Sequence, residues 1–274
     1  WVSYPEQIRL AGGNPVVVRA TEETGFKLTA DMLRAALTPR TKLLILNTPS
    51  NPSGAVYTRE ELLALAEVCV EHNIHVLTDE IYEKLIYDGR EHVSFASLGP
   101  EVKKLTVTVN GVSKAYAMTG WRIGYAAAEP EIIGAMNRLQ GHVTTNPTSI
   151  AQKAALAALT GPEEPVRRMV EAFKERRDYM VAELNKMPGI QAAVPGGAFY
   201  VFPNIRAWFG KRLGDYEITD ATSFAAALLE LAQIAIVPGD GFGAPDNVRF
   251  SYSTSMERIA TGLERMRQVL ESAW

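Results

Sequence analysis

The stretch Lys104–Tyr125, KLTVTVNGVSKAYAMTGWRIGY, decides how the first half of the chain is read. KLTVTV (104–109) alternates β-branched residues and reads as a strand; the chain then breaks at Asn110-Gly111 and delivers Lys114 just beyond. Arg122 follows eight positions later, with the pair Gly120-Trp121 between. A lysine in that place is either a solvated loop charge or a reacting amine held over a sheet. The residues on either side decide which.

Working outward, the same pattern recurs. KLLILN (42–47) and IHVLTD (74–79) read as strands before this one, and IGYAAA (123–128) as a strand after it. Helices are expected between and after them: LTADMLRAAL with Thr29 or Asp31 near its start, a helix from Thr58, then PEIIGAMNRLQGH and TSIAQKAALAAL. Glu61 stands three residues after Thr58, the spacing of a capping box. NPVVVRA (14–20) is expected to form a further short strand. Short apolar strands separated by helices predict an α/β fold, a mostly parallel sheet sandwiched by helices. Near TGPEEP (160–165) the pattern changes to one long amphipathic helix, ending at Pro188-Gly189. Closely spaced short strands (GIQAAV, AFYVFP, AIVPG, VRFSYS) and two more helices follow. The expected division is a large domain over 1–162 and a smaller C-terminal α+β domain over 163–274.

Bulk properties exclude several functions. A net charge of −3 leaves no electrostatic footprint for nucleic acid or an anionic membrane, and no apolar run has the length of a membrane span. The single cysteine, Cys69, lies in an apolar helical run and reads as buried filler; one cysteine builds neither a disulfide framework nor a cysteine metal cluster. The four histidines show no metal-ligand spacing, so no metal site is expected.

In an open α/β sheet, ligands bind beyond the carboxyl ends of the strands. After KLLILN comes NTPSNPSG with Asn51; after IHVL comes TDEIYEKL with Asp79 and Tyr82; after KLTVTV comes Lys114. Alone, these are a turn former, a helix cap, a core phenol and a surface charge. Together, in successive units at one sheet edge, they suit pyridoxal 5′-phosphate (PLP). A lysine amine condenses with its aldehyde, and an acid keeps its pyridine nitrogen protonated, which makes the ring an electron sink. A phenol and an amide hold its phenolate oxygen, and Arg122 offers a fork of donors for its phosphate.

NTPSNPSG, DEIY and SKAYAMTGWRIG, in this order and spacing, resemble the class I aminotransferases of fold type I, most of all the bacterial branch that acts on aspartate or prephenate. The resemblance runs from Trp1 to the last helix. It implies a homodimeric cytoplasmic enzyme with shared active sites, which passes an amino group from an L-amino acid of aspartate or glutamate type to a 2-oxo acid. It assigns cofactor contacts to Lys114, Asp79, Tyr82, Asn51, Arg122 and Trp1. Lys114 is the catalytic proton carrier, Arg249 binds the substrate α-carboxylate, and Asn51 and Trp1 help to shape the substrate pocket. A lyase or decarboxylase on the same scaffold, or a non-catalytic sensor domain, would show nearly the same residues. Two departures stand out: Gly111 replaces a serine that many relatives place three residues before the lysine, and Gly141 stands near a position where some aspartate-specific relatives carry an arginine. Beginning at Trp1 without methionine, the sequence reads as part of a longer protein with on the order of a hundred further residues upstream.

Overall fold

The computed structural model describes residues 1–274, which divide into two compact units. Unit 1 gathers Trp1–Thr21, Asn51–Gly54 and Glu171–Trp274; unit 2 gathers Glu22–Ser50 and Ala55–Val170. The second-half boundary falls between Val170 and Glu171, inside a long helix, where the sequence reading sets it at 162/163.

In unit 2, helix α2 (Ala30–Ala36) begins at Thr29, whose hydroxyl accepts the Met32 amide, and strand β1 (Leu43–Asn47) follows. Helix α3 (Arg59–Glu71) opens with the expected capping box, Thr58 accepting the Glu61 amide while the Glu61 carboxylate accepts the Thr58 amide. Strand β2 (His75–Asp79), helix α4 (Pro100–Leu105), strand β3 (Thr106–Gly111) and strand β4 (Gly124–Ala127) complete a sheet of order β1-β2-β3-β4. β1, β2 and β3 are parallel and β4 runs antiparallel to β3, so the sheet is mostly parallel. β3 starts two residues later than KLTVTV suggests, because Pro100 at the first turn nucleates α4 and carries it through Leu105. Helices α5 (Pro130–Val143) and α6 (Ser149–Thr160) follow.

The apolar face of α3 (Leu62, Leu65, Ala66, Cys69) packs with Leu33, Leu46, Val76, Phe95 and Val102 into one core. Each such leucine contributes about 1.5–3 kcal/mol by leaving water. Ala151 and Ala155 of α6 pack against Val112 and Ile123 in a second cluster, which braces the segments before Lys114 and after Arg122.

In unit 1, helix α1 (Ser3–Leu10) precedes a segment with no regular structure. NPVVVRA is not a strand: Val16 and Val17 are exposed and no strand pairs with them, and β-branched composition forms no ladder without a partner. Helix α7 (Glu164–Leu184) enters this unit from Glu171. Strands β5 (Tyr200–Val201), β8 (Val237–Pro238) and β9 (Val248–Ser251) form an antiparallel sheet of order β5-β9-β8, beside a hairpin of β6 (Arg212–Leu213) and β7 (Tyr216–Glu217). Of GIQAAV only Gln191 bridges, to Asn204. Helices α8 (Ala221–Ala232) and α9 (Met256–Glu271) are capped by Asp220 and Ser255 and bury Phe224, Leu228, Leu263 and Met266.

Candidate active site

Unit 2 holds four of the seven residues singled out in the sequence: Asp79, Tyr82, Lys114 and Arg122. Asp79 ends β2, and the register pairs it with Asn47 of β1 and Val109 of β3, which places it on a central strand at the carboxyl edge. Its main-chain carbonyl accepts the Thr48 amide (3.1 Å) and the Asn47 side-chain amide (3.0 Å), and its Oδ1 accepts the Ile81 amide (3.1 Å). The strand end is thus tied down from the β1 side and from its own turn. Tyr82 is buried in the turn that follows, and Lys114 is half-buried three residues beyond the end of β3. An acid, a phenol and an amine therefore leave adjacent parallel strands at one edge, the donor set that suits the pyridine nitrogen, phenolate and aldehyde of PLP.

Arg122 is exposed and left-handed (φ 56°), and it donates to the Thr119 carbonyl at 2.7 Å, which closes the Thr119–Trp121 turn. This leaves guanidinium donors at the surface of unit 2, as phosphate binding needs.

The departure at Gly111 has a steric cause. A Cβ there would stand 2.8 Å from the Ile123 carbonyl oxygen and 3.1 Å from the Gly124 Cα, so backbone fills the space a serine would need. The antiparallel pair Gly111–Gly124 joins β3 to β4 at this point, and the close approach fixes where Lys114 and Arg122 emerge.

Unit 1 holds the other three, Trp1, Asn51 and Arg249. Trp1 is half-exposed and meets Tyr4 edge-on at 5.4 Å. Arg249 lies on β9 opposite Val237 of β8, and its Nη1 donates to Asn51 Oδ1 at 2.7 Å. Its guanidinium carbon stands 4.6 Å from the Tyr200 ring centre and 5.2 Å from that of Phe242. Nε is buried without a hydrogen-bond partner. Cation–π contact offsets part of the desolvation of such a charge but satisfies none of its in-plane donors. The Asn51 segment is held by Gly54 (φ 67°), where a Cβ would collide with Pro195 at 2.4 Å and whose carbonyl accepts the Gly197 amide.

Three residues of these surroundings escape the sequence reading. Tyr200 and Phe242 have no role assigned from the sequence, and only the fold lays them against Arg249. Glu80 sits inside DEIY and likewise has none. In the structure it is 1% exposed and gathers four donors.

A mostly parallel sheet with a lysine, an acid and a phenol at its carboxyl edge fits a PLP-binding α/β transferase, and comparison with known proteins gives the family. The profile of aminotransferase class I and II matches residues 1–266. An aspartate aminotransferase of Geobacillus stearothermophilus is 54% identical over 99% of this chain and 68% of its own length. An aspartate/prephenate aminotransferase of Cereibacter sphaeroides is 50% identical over 97% of this chain and 67% of its own. Among solved structures, the aspartate aminotransferase of Rhizobium meliloti superposes with a TM-score of 0.96 at 43% identity, covering 100% of this chain and 69% of that one. The chain belongs to the class I and II aminotransferase family. It is a PLP-dependent transferase of amino groups with the fold type I architecture. No helix is long and apolar enough to cross a membrane.

Proposed function

We propose that the amino donor is a dicarboxylic L-amino acid of aspartate or glutamate type, that the acceptor is a 2-oxo acid, and that the two bind in turn in a ping-pong cycle. The observation that carries an amino-acid substrate, through its α-carboxylate, is Arg249: a guanidinium stacked on Tyr200 and Phe242, with one donor on Asn51 and a buried Nε without a partner. A planar fork with unused donors is matched by a carboxylate. The aspartate aminotransferases among its relatives support the choice of a second acidic group on the substrate.

When bound, PLP supplies an aldehyde that accepts the amine and a ring that draws off the electrons left when a substrate Cα–H bond breaks. In this reading Lys114 Nζ would hold PLP between turnovers and, once displaced by the substrate amine, would be free to carry the proton away from the substrate Cα. Asp79 holds a proton on the ring nitrogen, and the Tyr82 hydroxyl and Asn51 amide hold the ring's phenolate oxygen. Arg122 binds the phosphate, Arg249 orients the α-carboxylate, and Trp1 offers an aromatic face to ring and substrate. Association as a homodimer is supported by Met136, Leu139 and Val143, exposed along one face of α5. A single, buried, unpaired cysteine fits a reducing, cytoplasmic setting.

The test is a single-turnover assay with L-aspartate alone, in which one equivalent of oxo acid forms per bound cofactor and turnover stops until an acceptor is added. Lys114→Ala lowers the rate of that step by about 10²–10⁴-fold, the range for a positioned acid–base group. Continuous release of product without an acceptor overturns the reading in favour of a lyase.

A further inference from the structure

We propose that Glu80 is a positioning residue for Asp79 and Tyr82, an inference that rests on reading those two as cofactor ligands. Along β2 the pleat sends Thr78 and Glu80 to one face and Asp79 to the other. Glu80 lies at the point where strand becomes turn, its main-chain amide bonded to the Val109 carbonyl (2.9 Å) and its carbonyl accepting the Glu83 amide (2.9 Å). Its carboxylate is buried, yet no arginine or lysine faces it. Oε1 accepts the Thr78 hydroxyl (3.3 Å), the Ser94 hydroxyl (3.0 Å) and the Phe95 amide (3.1 Å), while Oε2 lies 2.9 Å from His92 Nε2.

A carboxylate withdrawn from water is tolerated only with such a set of donors, and once the set is made it tolerates little displacement. Glu80 therefore staples the 92–95 segment to the end of β2. Asp79 and Tyr82 flank that staple along the chain: Oδ1 of Asp79 is fixed by the Ile81 amide, and the Leu85 amide bonds the Tyr82 carbonyl at 2.8 Å. The anchored residue sits between the two side chains that must face the cofactor, and it reaches neither by its own side chain. Sites of this kind hold their geometry through a supporting shell, and a displacement of about 1 Å costs up to about a hundredfold in rate.

The same corner offers a second chemistry, since ligand atoms of Glu80, Glu83 and His92 lie within 4.8 Å of one another. Both oxygens of Glu80 already have donors, which favours the positioning role over a metal ion.

The experiment compares Glu80→Ala, Glu80→Gln and Asp79→Asn in the PLP-loaded protein. It reads the cofactor Kd, the pH midpoint of the cofactor's visible absorbance, kcat and KM, and the melting temperature of the cofactor-free form. For Glu80→Ala the expected result is a Kd raised about tenfold, a midpoint displaced by about half a unit, and kcat lowered about tenfold with KM within about twofold. Glu80→Gln keeps an oxygen acceptor for Thr78, Ser94 and Phe95 and restores all of these to within about twofold. If Glu80→Ala does not fold, Ser94→Ala carries the test, with the same changes at about threefold. A folded Glu80→Ala protein with unaltered Kd and midpoint, beside an Asp79→Asn protein in which both change, overturns the proposal. An Asp79→Asn protein with neither changed overturns the underlying reading of Asp79 instead. Zinc that raises the melting temperature of the wild type but not of Glu83→Gln replaces positioning by metal binding.

Discussion

Glu80 in unit 2 is a buried charge and Arg249 in unit 1 a half-buried one with a buried Nε, and the chain surrounds them differently. Every oxygen of Glu80 meets donors, four in all, from residues 78, 92, 94 and 95. Arg249 has one hydrogen bond, two aromatic faces and a buried Nε with nothing to bond. A saturated buried charge serves the fold, because leaving any partner unmatched costs about 1–3 kcal/mol. An unsaturated one is a standing cost to the fold that a ligand relieves. The contrast separates scaffold from recognition without reference to any relative.

The sharpest way to test it is to remove each charge. Arg249→Leu should lower kcat/KM by about a hundred- to a thousandfold, the cost of truncating one partner of a charge pair at about 2–5 kcal/mol. Its unfolding free energy should stay within about 1 kcal/mol of wild type or rise, since an incompletely paired charge leaves the interior. Glu80→Leu should behave the other way in the cofactor-free protein, losing about 3 kcal/mol in urea unfolding because Ser94 and the Phe95 amide are stranded. An Arg249→Leu protein that unfolds while a Glu80→Leu protein stays stable breaks the contrast.

A smaller effect is expected at Gly111. The groups a side chain would meet are the Ile123 carbonyl and the Gly124 Cα, which are backbone, and the Ile81 Cδ1, so Gly111→Ser should cost about 1–3 kcal/mol by overpacking. Loss of PLP affinity should accompany it, because the Gly111–Gly124 pair is the joint from which Lys114 leaves. A serine that fits without loss, and tightens PLP binding, would mean that the position is free to act as a phosphate ligand.

How much of this is legible in the sequence depends on how local the cause is. β1, β2, the capping box at Thr58 and the helices α5 and α6 follow from residues within a few positions of one another, and they appear where the pattern puts them. The positions of Asp79, Tyr82 and Lys114 at or just beyond the ends of β2 and β3 are legible because the strands that deliver them are local. NPVVVRA misleads because a strand is made by its neighbour, and none pairs with it. The bond from Arg249 to Asn51 spans 198 positions, and Tyr200 and Phe242 come to Arg249 only through the β5-β9-β8 sheet and the turn before β9. Glu80 is missed for the same reason: its partners Ser94 and Phe95 lie 14 and 15 positions away, and nothing between them signals the meeting.

Tyr57 gives the mildest test, with a pH signature of its own. Its hydroxyl oxygen accepts the Leu28 amide at 2.7 Å, and burial pushes its pKa up from 10.0 to about 12. Like Glu80 it is a buried acceptor with a matched donor, but it is neutral. In the unfolded chain the phenol ionises near pH 10.0, while in the fold it keeps its proton until about 12. Above pH 10.0 the unfolded state therefore binds fewer protons than the native state, and stability falls with rising pH. The contribution is complete below pH 10.0 and is lost as pH rises through about 12. Tyr57→Phe strands the Leu28 amide and should cost about 1 kcal/mol at neutral pH. It also removes the ionisable group, so the gap between wild type and variant should shrink above pH 10.0 and reverse before about 12 in urea midpoints. A gap constant across that window would show that the phenol is reached by water, and that burial at this position is saturated by solvent rather than by the Leu28 amide.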